Sequence, residues 1–306
     1  MSNIAIDAKS SRPNWLKPWL KTETMVAWLF LLPSLIGFIA FYAVPAVRGL
    51  MLSFTDGNLF RGPQGVGLEN YQNLLQDDAF WNSLRVTMAY VLLNIPIQTL
   101  IAIVVAVMMD RVTKSTLVRG IILLPWLMPN VIVGLLWLWL LDPTLGLVNV
   151  GLESIGLDSI PFLGQTSTAI ATIAGINIWR HMGYTALLIF AGIQTIPASV
   201  YEAGAIDGAS ESRMFFQITI PLLRPVLIFV LVTSVIGSFQ IFDTVAITTQ
   251  GGPIDATKVM NWLIYERAFV RFDLGYATTI SIALFLILIV VSFAQMWIMR
   301  ADESDL

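Results

Sequence analysis

Long apolar segments constrain this chain more than any other feature of its sequence. Six such stretches occupy positions 25–47, 84–109, 121–141, 169–194, 226–248 and 274–299. A helix needs about 20 mostly apolar residues to cross the roughly 30 Å hydrocarbon core of a bilayer, and backbone polar groups in that core must be bonded within the structure. The sequence therefore predicts an all-α integral membrane protein with six transmembrane helices.

Composition supports this fold class and removes several kinds of site. Hydrophobic residues make up 57% of the 306 residues and charged residues only 12%, whereas soluble domains carry about a quarter charged residues. The absence of cysteine and the presence of a single histidine exclude thiolate chemistry and a multi-histidine metal site, so we expect no metal. The basic residues are scattered, so we expect a lipid bilayer and no nucleic acid as partner.

Lysine and arginine predict how the chain crosses the bilayer. If both termini share one side, that side holds ten basic residues and the other side six, with Arg180 inside a span. The ten are Lys9, Arg12, Lys17, Lys21, Arg111, Lys114, Arg119, Arg213, Arg224 and Arg300. Because cytoplasmic loops carry the excess of basic residues, we expect both termini in the cytoplasm. The predicted organisation is a cytoplasmic tail (1–24), a membrane domain (25–299) and a second cytoplasmic tail (300–306).

The loop predicted at 195–225 carries an unusual run of charged and small residues, YEAGAIDGASESRMFFQITIPLLRP. Its pattern predicts two short helices, with Gly208 leaving the first in a left-handed conformation and Ser210 capping the second. Phe215, Phe216 and Ile218 are apolar, so they need cover from this domain or from a partner. A plain connecting hairpin and a docking surface both fit this pattern.

The same run resembles the EAA loop of permeases from binding-protein-dependent ABC importers. That motif reads E-A-A, three residues, G, nine residues, then I-x-L-P; here it begins at Glu202, places its glycine at Gly208 and ends at Pro221. Two positions depart from it, since Gly204 replaces the third alanine and Ile220 replaces leucine.

The resemblance covers most of the chain and favours the carbohydrate-uptake branch, with its maltose-type and glycerol-phosphate-type permeases. It rests on PSLIGFIAFYAVP, GLENYQNLL, LLPWLMPNVIVGLLWLWL, AGIQTIPASVYEA and FDTVAITTQGGP. It implies a type I importer permease fold and an ATP-driven importer for a sugar, in particular a di- or oligosaccharide. The bacterial or archaeal cytoplasmic (inner) membrane is the implied location.

The resemblance also implies partners. The chain has no G-x-x-x-x-G-K-[ST] phosphate loop, so we expect ATP and Mg²⁺ to be bound by a separate ATPase and no cofactor here. In the family, two permeases (here a related but different second chain) work with two ATPases and an extracytoplasmic solute-binding protein. The matched loop supplies a coupling helix to the ATPase. The residues that would couple are Glu202, Ala203, Gly204, Asp207, Gly208 and Ala209.

Polar and aromatic residues on the spans that flank the loop are candidates for a sugar path. They are Asn177, Trp179 and Tyr184 on the fourth span and Ser234, Ser238 and Gln240 on the fifth. Sugars suit aromatic faces and fixed hydrogen-bond partners, but such residues also join helices in membrane bundles. Asn94 and Gln98 present the same choice between lining a path and supporting a proline kink at Pro96.

Two charges lie within the predicted spans, Arg180 and Asp243. Either alone in hydrocarbon costs at least about 2.5–3.5 kcal/mol, so each needs a partner, water or a route to the interface. Their similar depth leads to the hypothesis that they pair or share a hydrated cavity. The alternative is that each reaches the headgroups separately.

Other functions remain open at this stage. An importer of a glycerol phosphoester or another solute would share the fold, and an anionic solute would want cations such as Arg180 or His181. An ion-driven secondary carrier needs acids in its spans, where only Asp243 qualifies. A membrane enzyme has no paired acids or nucleophile–base set to support it, so we expect no catalytic residues.

Overall fold

The computed structural model describes residues 22–57, 62–112 and 115–300, and these are mostly helical. The predicted tails 1–24 and 300–306 lie mostly outside the described residues. The chain divides into two compact units, 1–51 and 52–306, each described here by itself.

The described part of the first unit is one long apolar helical stretch. Helix α1 (Thr22–Phe38) continues through a π-helical turn (Ile39–Ala43) into α2 (Val44–Leu52). Its side chains from residue 25 onward are mostly exposed, Phe30 and Phe41 to 79%. A helix that is apolar on every side and uncovered is typical of a membrane span.

The second unit contains the remaining described helices. They are α3 (Glu69–Gln76), α4 (Asp78–Arg111), α5 (Thr116–Leu127), α6 (Asn130–Leu140), α7 (Leu147–Ser154), α8 (Ala169–Ile193), α9 (Ala198–Ile206), α10 (Glu211–Met214), α11 (Ile220–Leu222), α12 (Arg224–Phe239), α13 (Asp243–Thr248), α14 (Met260–Tyr265) and α15 (Leu274–Arg300). Two π-helical turns, Phe215–Thr219 and Glu266–Val270, follow α10 and α14.

The described helices fit the six predicted spans. Four are long and apolar enough to cross a membrane: Met25–Leu52, Asp78–Arg111, Arg224–Thr248 and Leu274–Met299. Two bent pairs, α5 with α6 and α8 with α9, pass the same test and bring the total to as many as six. We call the end of the helices beside segment 194–223 the near end and the end beside segment 249–273 the far end, because α12 and α13 connect the two segments.

The third span corrects a prediction. Residues 121–141 were expected to form one continuous helix, but α5 and α6 meet at an angle of 92°. Pro129 causes the break, because proline has no N–H and disfavours helical backbone at the residue before it. Met128 is accordingly extended (ψ 138°), and α6 restarts at Asn130.

The fifth span is also interrupted. Helix α12 ends at Phe239 and α13 begins at Asp243, with Phe242 in a non-helical backbone conformation (φ −145°, ψ −59°). The backbone is therefore irregular in two spans. Irregular backbone at membrane depth is tolerated where protein buries it or where it lines a cavity.

Helices α4 and α8 pack along each other and form the centre of the second unit. Small side chains allow their close approach, since Ala102, Ala106 and Ala186 are completely buried. One apolar cluster around Met109 and Ile189 lies toward the near end, and another around Met260 and Ile280 lies toward the far end. Polar residues lie between them, in the cavity described next.

Candidate functional site: a polar cavity and an exposed loop

A cavity of about 260 Å³ lies between α4, α8, the α5–α6 break and the α12–α13 break. Both irregular spans contribute to its wall, through Trp126 and Asn130 on one side and residues 240–244 on the other. We call it the polar cavity. Five of the six predicted sugar-path residues line it: Asn177, Tyr184, Ser234, Ser238 and Gln240.

Trp179 does not line the polar cavity. Its ring instead packs edge-on against Trp137 of α6, with the ring centroids 5.4 Å apart, in an apolar cluster around Val133 and Ile176. Trp179 therefore helps to hold α8 against α6, and it is the one predicted path residue that the polar cavity does not include.

The sequence alone does not decide the role of Asn94 and Gln98, two polar amides of α4. In the structure Asn94 Nδ2 donates to Ser238 Oγ (3.1 Å), and Gln98 Nε2 donates to Thr185 Oγ1 (3.0 Å). Both amides are buried and line the polar cavity. They therefore join α4 to α12 and α8 and also present polar groups to the cavity, whereas these two bonds do not involve the backbone at Pro96.

Several lining residues were missed by sequence reasoning, including Tyr90, Trp126, Asn130 and Thr244. The indole of Trp126 stacks on the phenol of Tyr184, with ring centroids 4.4 Å apart and planes 8° apart. Trp126 lies beside the break, between Pro125 and Pro129 in the sequence. The two prolines, four residues apart, are the feature of the sequence that could have indicated irregular backbone next to Trp126.

His181 uses both ring nitrogens within the structure. Its Nδ1 lies 2.9 Å from the carbonyl oxygen of Asn177, which can only accept, so Nδ1 carries the proton. Nε2 then accepts from Arg180 Nη1 at 3.1 Å. Both ring nitrogens of His181 are therefore bonded to neighbours on its own helix.

Arg180 and Asp243, the two charges within the spans, form hydrogen bonds to the broken third span and not to each other. Arg180 Nη2 donates to the carbonyl oxygens of Met128 (3.0 Å) and Trp126 (3.5 Å), which the break leaves without helical partners. Asp243 accepts a hydrogen bond from the side chain of Asn130, at the start of α6. Both charges line the polar cavity, but the direct ion pair of the sequence hypothesis is replaced by these two contacts on either side of the break.

The second candidate site is segment 194–223, which we call the coupling loop. Helix α9 ends in a Schellman arrangement: Gly208 N donates to Ala205 O (3.1 Å) and Ala209 N to Gly204 O (2.9 Å). Gly208 has the left-handed φ of +73° that the sequence predicted. Ser210 Oγ then accepts from the backbone N–H of Arg213 at 3.3 Å and caps α10, also as predicted.

Packing explains the departure from the motif at Gly204. A β-carbon there would lie 3.1 Å from Ile218 Cδ1 and 3.5 Å from Met214, because the two halves of the loop pack closely at this point. A hydrogen bond between Tyr201 Oη and Thr219 Oγ1 (3.0 Å) also joins the two halves of the loop.

The coupling loop presents both charges and apolar groups on its surface. Glu202 and Asp207 are exposed, and so are Ile206 (86%) and Phe216 (69%). Phe215 is half-buried and packs edge-on against Phe216. The chain itself therefore buries these apolar residues only in part.

Two polar contacts tie the coupling loop to the near end of α4. Gln194 Nε2 donates to Asp110 Oδ1 at 2.6 Å, and Arg111 forms an ion pair with Glu211. These contacts, together with the continuous chain into α8 and α12, connect the loop to three helices that line the polar cavity.

Residues 98–303 match the family described as binding-protein-dependent transport system inner membrane component. Three relatives are similar over most of their length. The sulfoquinovosyl glycerol transport system permease protein SmoG of Agrobacterium fabrum is 30% identical (98% of each chain). The trehalose/maltose transport system permease protein MalF of Thermococcus litoralis is 31% identical (87% of this chain, 91% of the relative). The sn-glycerol-3-phosphate transport system permease protein UgpA of Agrobacterium fabrum is 31% identical (89% and 93%).

A solved structure supports the fold. It is a crystal structure of a bacterial ABC transporter involved in the import of the acidic polysaccharide alginate. One of its chains is 25% identical and superposes with a TM-score of 0.82 over 92% of this chain and 97% of that chain. The type I importer permease fold implied by the sequence resemblance is thereby confirmed.

Proposed function

Because the chain belongs to the family of binding-protein-dependent transport system inner membrane components, we propose that it is the permease subunit of a sugar importer and that the polar cavity is part of the sugar's path. It is a membrane-embedded ABC importer subunit that pairs with a solute-binding protein. Its role is transport, and ATP is hydrolysed by a separate subunit. Two of the relatives named above carry sugars or sugar glycosides in their names.

The observation that carries the sugar path is the polar cavity at two broken spans. Transporters commonly build substrate sites where helices are discontinuous, because unwound backbone supplies polar groups there. The cavity combines the stacked pair Trp126 and Tyr184 with amide and hydroxyl groups, among them Asn177 and Ser234. Sugars present apolar ring faces and many hydroxyl groups, so this combination suits them.

The coupling loop is proposed to dock on a cytoplasmic ATPase. The support is its exposure: Glu202 and Asp207 lie in solvent-accessible positions beside Ile206, an apolar group that the chain leaves 86% exposed. The complete importer would contain a second, related permease and two ATPases, with ATP and Mg²⁺ held by the ATPases. Both termini would lie on the cytoplasmic side, with the coupling loop.

Movement of the loop can reach the cavity along several helices. Helix α8 enters the loop and α12 leaves it, and the Arg111–Glu211 pair adds α4. A displacement of the loop by the ATPases would therefore shift three walls of the polar cavity together. Rocking of rigid elements around a fixed site is how alternating access operates in such transporters.

An anionic solute and an ion-driven carrier are less well supported. Arg180 is already bonded to two backbone carbonyls and is balanced by Asp243 in the same cavity. Asp243 itself accepts from Asn130, so each of the two charges already has a polar contact within the chain.

Uptake by the reconstituted importer tests this function. The chain is co-expressed with its partner permease, ATPase and binding protein, and uptake of labelled trehalose, maltose and maltotetraose into proteoliposomes is measured. We expect uptake that requires both ATP and the binding protein. Trp126→Leu should reduce it about tenfold, because a stacking partner is lost. Trp139→Leu, at an exposed position of α6, is the matched control and should leave it unchanged. Uptake of none of these sugars, or uptake without ATP, would contradict the proposal.

A further inference from the structure

A second, wider cavity of about 700 Å³ opens at the far end, beside α13 and α14. We call it the outer cleft, lined by Phe242, Gln250, Asp255, Lys258, Trp262 and Tyr265 among others. Phe242, at the break in the fifth span, lines both the outer cleft and the polar cavity. The two spaces therefore share one aromatic wall. A volume of roughly 300–1,000 Å³ is typical of small-molecule sites.

Three aromatic rings form one surface of the outer cleft. The rings of Phe242 and Trp262 stack with centroids 6.1 Å apart and planes 24° apart. Trp262 and Tyr265 stack at 5.3 Å and 29°, and Tyr265 remains 38% exposed. Rings buried only for packing would be covered, whereas this surface is open to a cavity.

Trp262 is held in place by the turn before it. A β-carbon at Gly251 would lie 2.7 Å from Trp262 Nε1, and Gly251 has a left-handed φ of +87° that favours glycine. The backbone of the turn thus lies directly against the edge of the indole. An aromatic surface held in this way loses little conformational entropy when a ligand stacks on it.

Charges beside the rings are paired. Lys258 Nζ lies 2.8 Å from Asp255 Oδ1 and 3.1 Å from Glu266 Oε2. Glu266 also receives Arg271 at 2.6 Å. Two acids and two bases therefore balance, and the cleft offers hydrogen-bonding groups without an excess of either charge. This chemistry fits neutral hydroxyl groups better than a phosphate or a carboxylate.

We propose that the outer cleft is a saccharide subsite, in which a neutral pyranose ring stacks on Trp262 and Tyr265 and its hydroxyl groups bond to Lys258 and Asp255. The proposal rests on the proposed function, because it adds a second sugar-binding site to the same path. Pyranose C–H groups carry partial positive charge and meet the negative face of an aromatic ring. A saccharide of several rings would reach from the outer cleft, past Phe242, toward the polar cavity.

Protection of an introduced cysteine tests the subsite directly. The chain has no native cysteine, so Ala246→Cys places one thiol in the outer cleft, where Ala246 is part of the wall. The intact importer in detergent is treated with a maleimide, with and without maltotetraose, and the mass shift of this chain gives the labelling rate. We expect maltotetraose to slow the labelling of Ala246→Cys, and not of Ile254→Cys, which is 91% exposed and outside the cleft.

Second substitutions in the Ala246→Cys background locate the binding surface. Trp262→Ala should raise the maltotetraose concentration needed for protection about tenfold, and Trp262→Phe should restore most of it because an aromatic face returns. Phe269→Ala is the matched control: Phe269 contacts Tyr265 but does not line the cleft, so protection should persist. Loss of protection in Phe269→Ala as well would show that the effect is not specific to the rings lining the cleft, and it would contradict the subsite.

The outcomes separate this inference from the proposed function. No protection by maltotetraose in Ala246→Cys, or protection that survives Trp262→Ala undiminished, overturns the subsite even if sugars are transported. Trp262-dependent protection without any sugar uptake would uphold the subsite and contradict the proposed function.

Discussion

The coupling loop and the far-end segment 249–273 differ in how their charged and aromatic residues are bonded to the rest of the chain. Each connects membrane helices and carries charged and aromatic residues. In the far segment these residues bond to the chain itself: Asp77 Oδ2 accepts from Arg267 (2.9 Å) and Tyr276 (2.7 Å), and Lys258, Glu266 and Arg271 form a second network. Both segments expose apolar side chains, Ile206 and Phe216 in the coupling loop and Ile254 and Phe272 in the far segment. The contrast therefore lies in the polar contacts, whose side chains are more buried at the far end.

The difference indicates that the far end depends more on contacts within its own chain, and it is consistent with the proposed docking of an ATPase at the coupling loop. Asp77 also caps α4 by accepting from Ala79 N at 2.8 Å, so one carboxylate joins α4, α14 with its π-helical turn, and α15. Within the part of the chain that the structure describes, the polar contacts between the coupling loop and α4 include the exposed Arg111–Glu211 pair and the Gln194–Asp110 bond. Substitutions should therefore change stability at the far end and partner binding at the near end.

Gly208→Val should have the largest effect on transport. A β-branched residue is strained at φ +73°, by about 1–3 kcal/mol, and the Schellman turn that directs α10 would be lost. We expect uptake by the reconstituted importer to fall at least about a hundredfold, with normal membrane insertion on a blot. Gly208→Asn is the control, because asparagine tolerates the left-handed region, and it should retain most uptake. Normal transport by Gly208→Val would contradict the claim that the coupling loop at the near end is needed for transport.

Arg267→Met should be the most destabilising change considered at the far end. It leaves the carboxylate of Asp77, only 19% exposed in its side chain, without its cation. Removing one partner of such a partly buried pair costs about 2–3 kcal/mol, which lowers the unfolding midpoint by roughly 3–5 °C. Thermal unfolding in detergent measures this, with the exposed Arg85 changed to Met as the control. An unchanged midpoint would mean that the far end does not depend on this cluster.

Phe216→Ser should leave stability unchanged and weaken ATPase binding. The side chain is 69% exposed, so its loss removes little internal packing, whereas an interface aromatic commonly contributes more than about 1 kcal/mol. We expect about tenfold weaker capture of the ATPase by the purified permease. Phe272→Ser, an exposed phenylalanine of the far segment, is the matched control. Equal loss in both variants would remove the distinction between the ends.

Acid pH should produce the smallest effect. Partial burial opposes the charge of Glu266, but hydrogen bonds from Arg271 and Lys258 outweigh it and hold its pKa below the ordinary value. A carboxylate with a lowered pKa stabilises the fold above its ordinary pKa, and that stability is lost as pH falls through the lowered value. Between pH 7 and pH 4 we expect the wild-type midpoint to drop about 2 °C further than that of Glu266→Gln. An identical drop would show that the network contributes nothing.

Sequence reasoning located the spans because hydropathy and length decide them almost alone. It also placed the turn at Gly208 and the cap at Ser210, since both follow from local backbone chemistry. It missed the break in the third span although Pro129 was visible, because proline is tolerated within many membrane helices.

The rotation of helices about their own axes was harder to predict. Trp179 and Tyr184 lie on the same helix, yet one packs against α6 and the other lines the polar cavity. A span apolar on most sides has no strong amphipathic pattern to fix which face looks inward. For the same reason Arg180 and Asp243 were matched by depth, while their actual partners at 126–130 depended on the unforeseen break.

Photo-crosslinking tests most directly the claim that the coupling loop is the surface on which the ATPase docks. Because the chain lacks cysteine, a benzophenone maleimide can be attached at Ile206→Cys in the coupling loop or at Ile254→Cys in the far segment, two isoleucines that are 86% and 91% exposed. After illumination of the intact importer, we predict a covalent product with the ATPase from Ile206→Cys and none from Ile254→Cys. An ATPase product from Ile254→Cys, or none from Ile206→Cys in an importer that still contains the ATPase, would contradict the account.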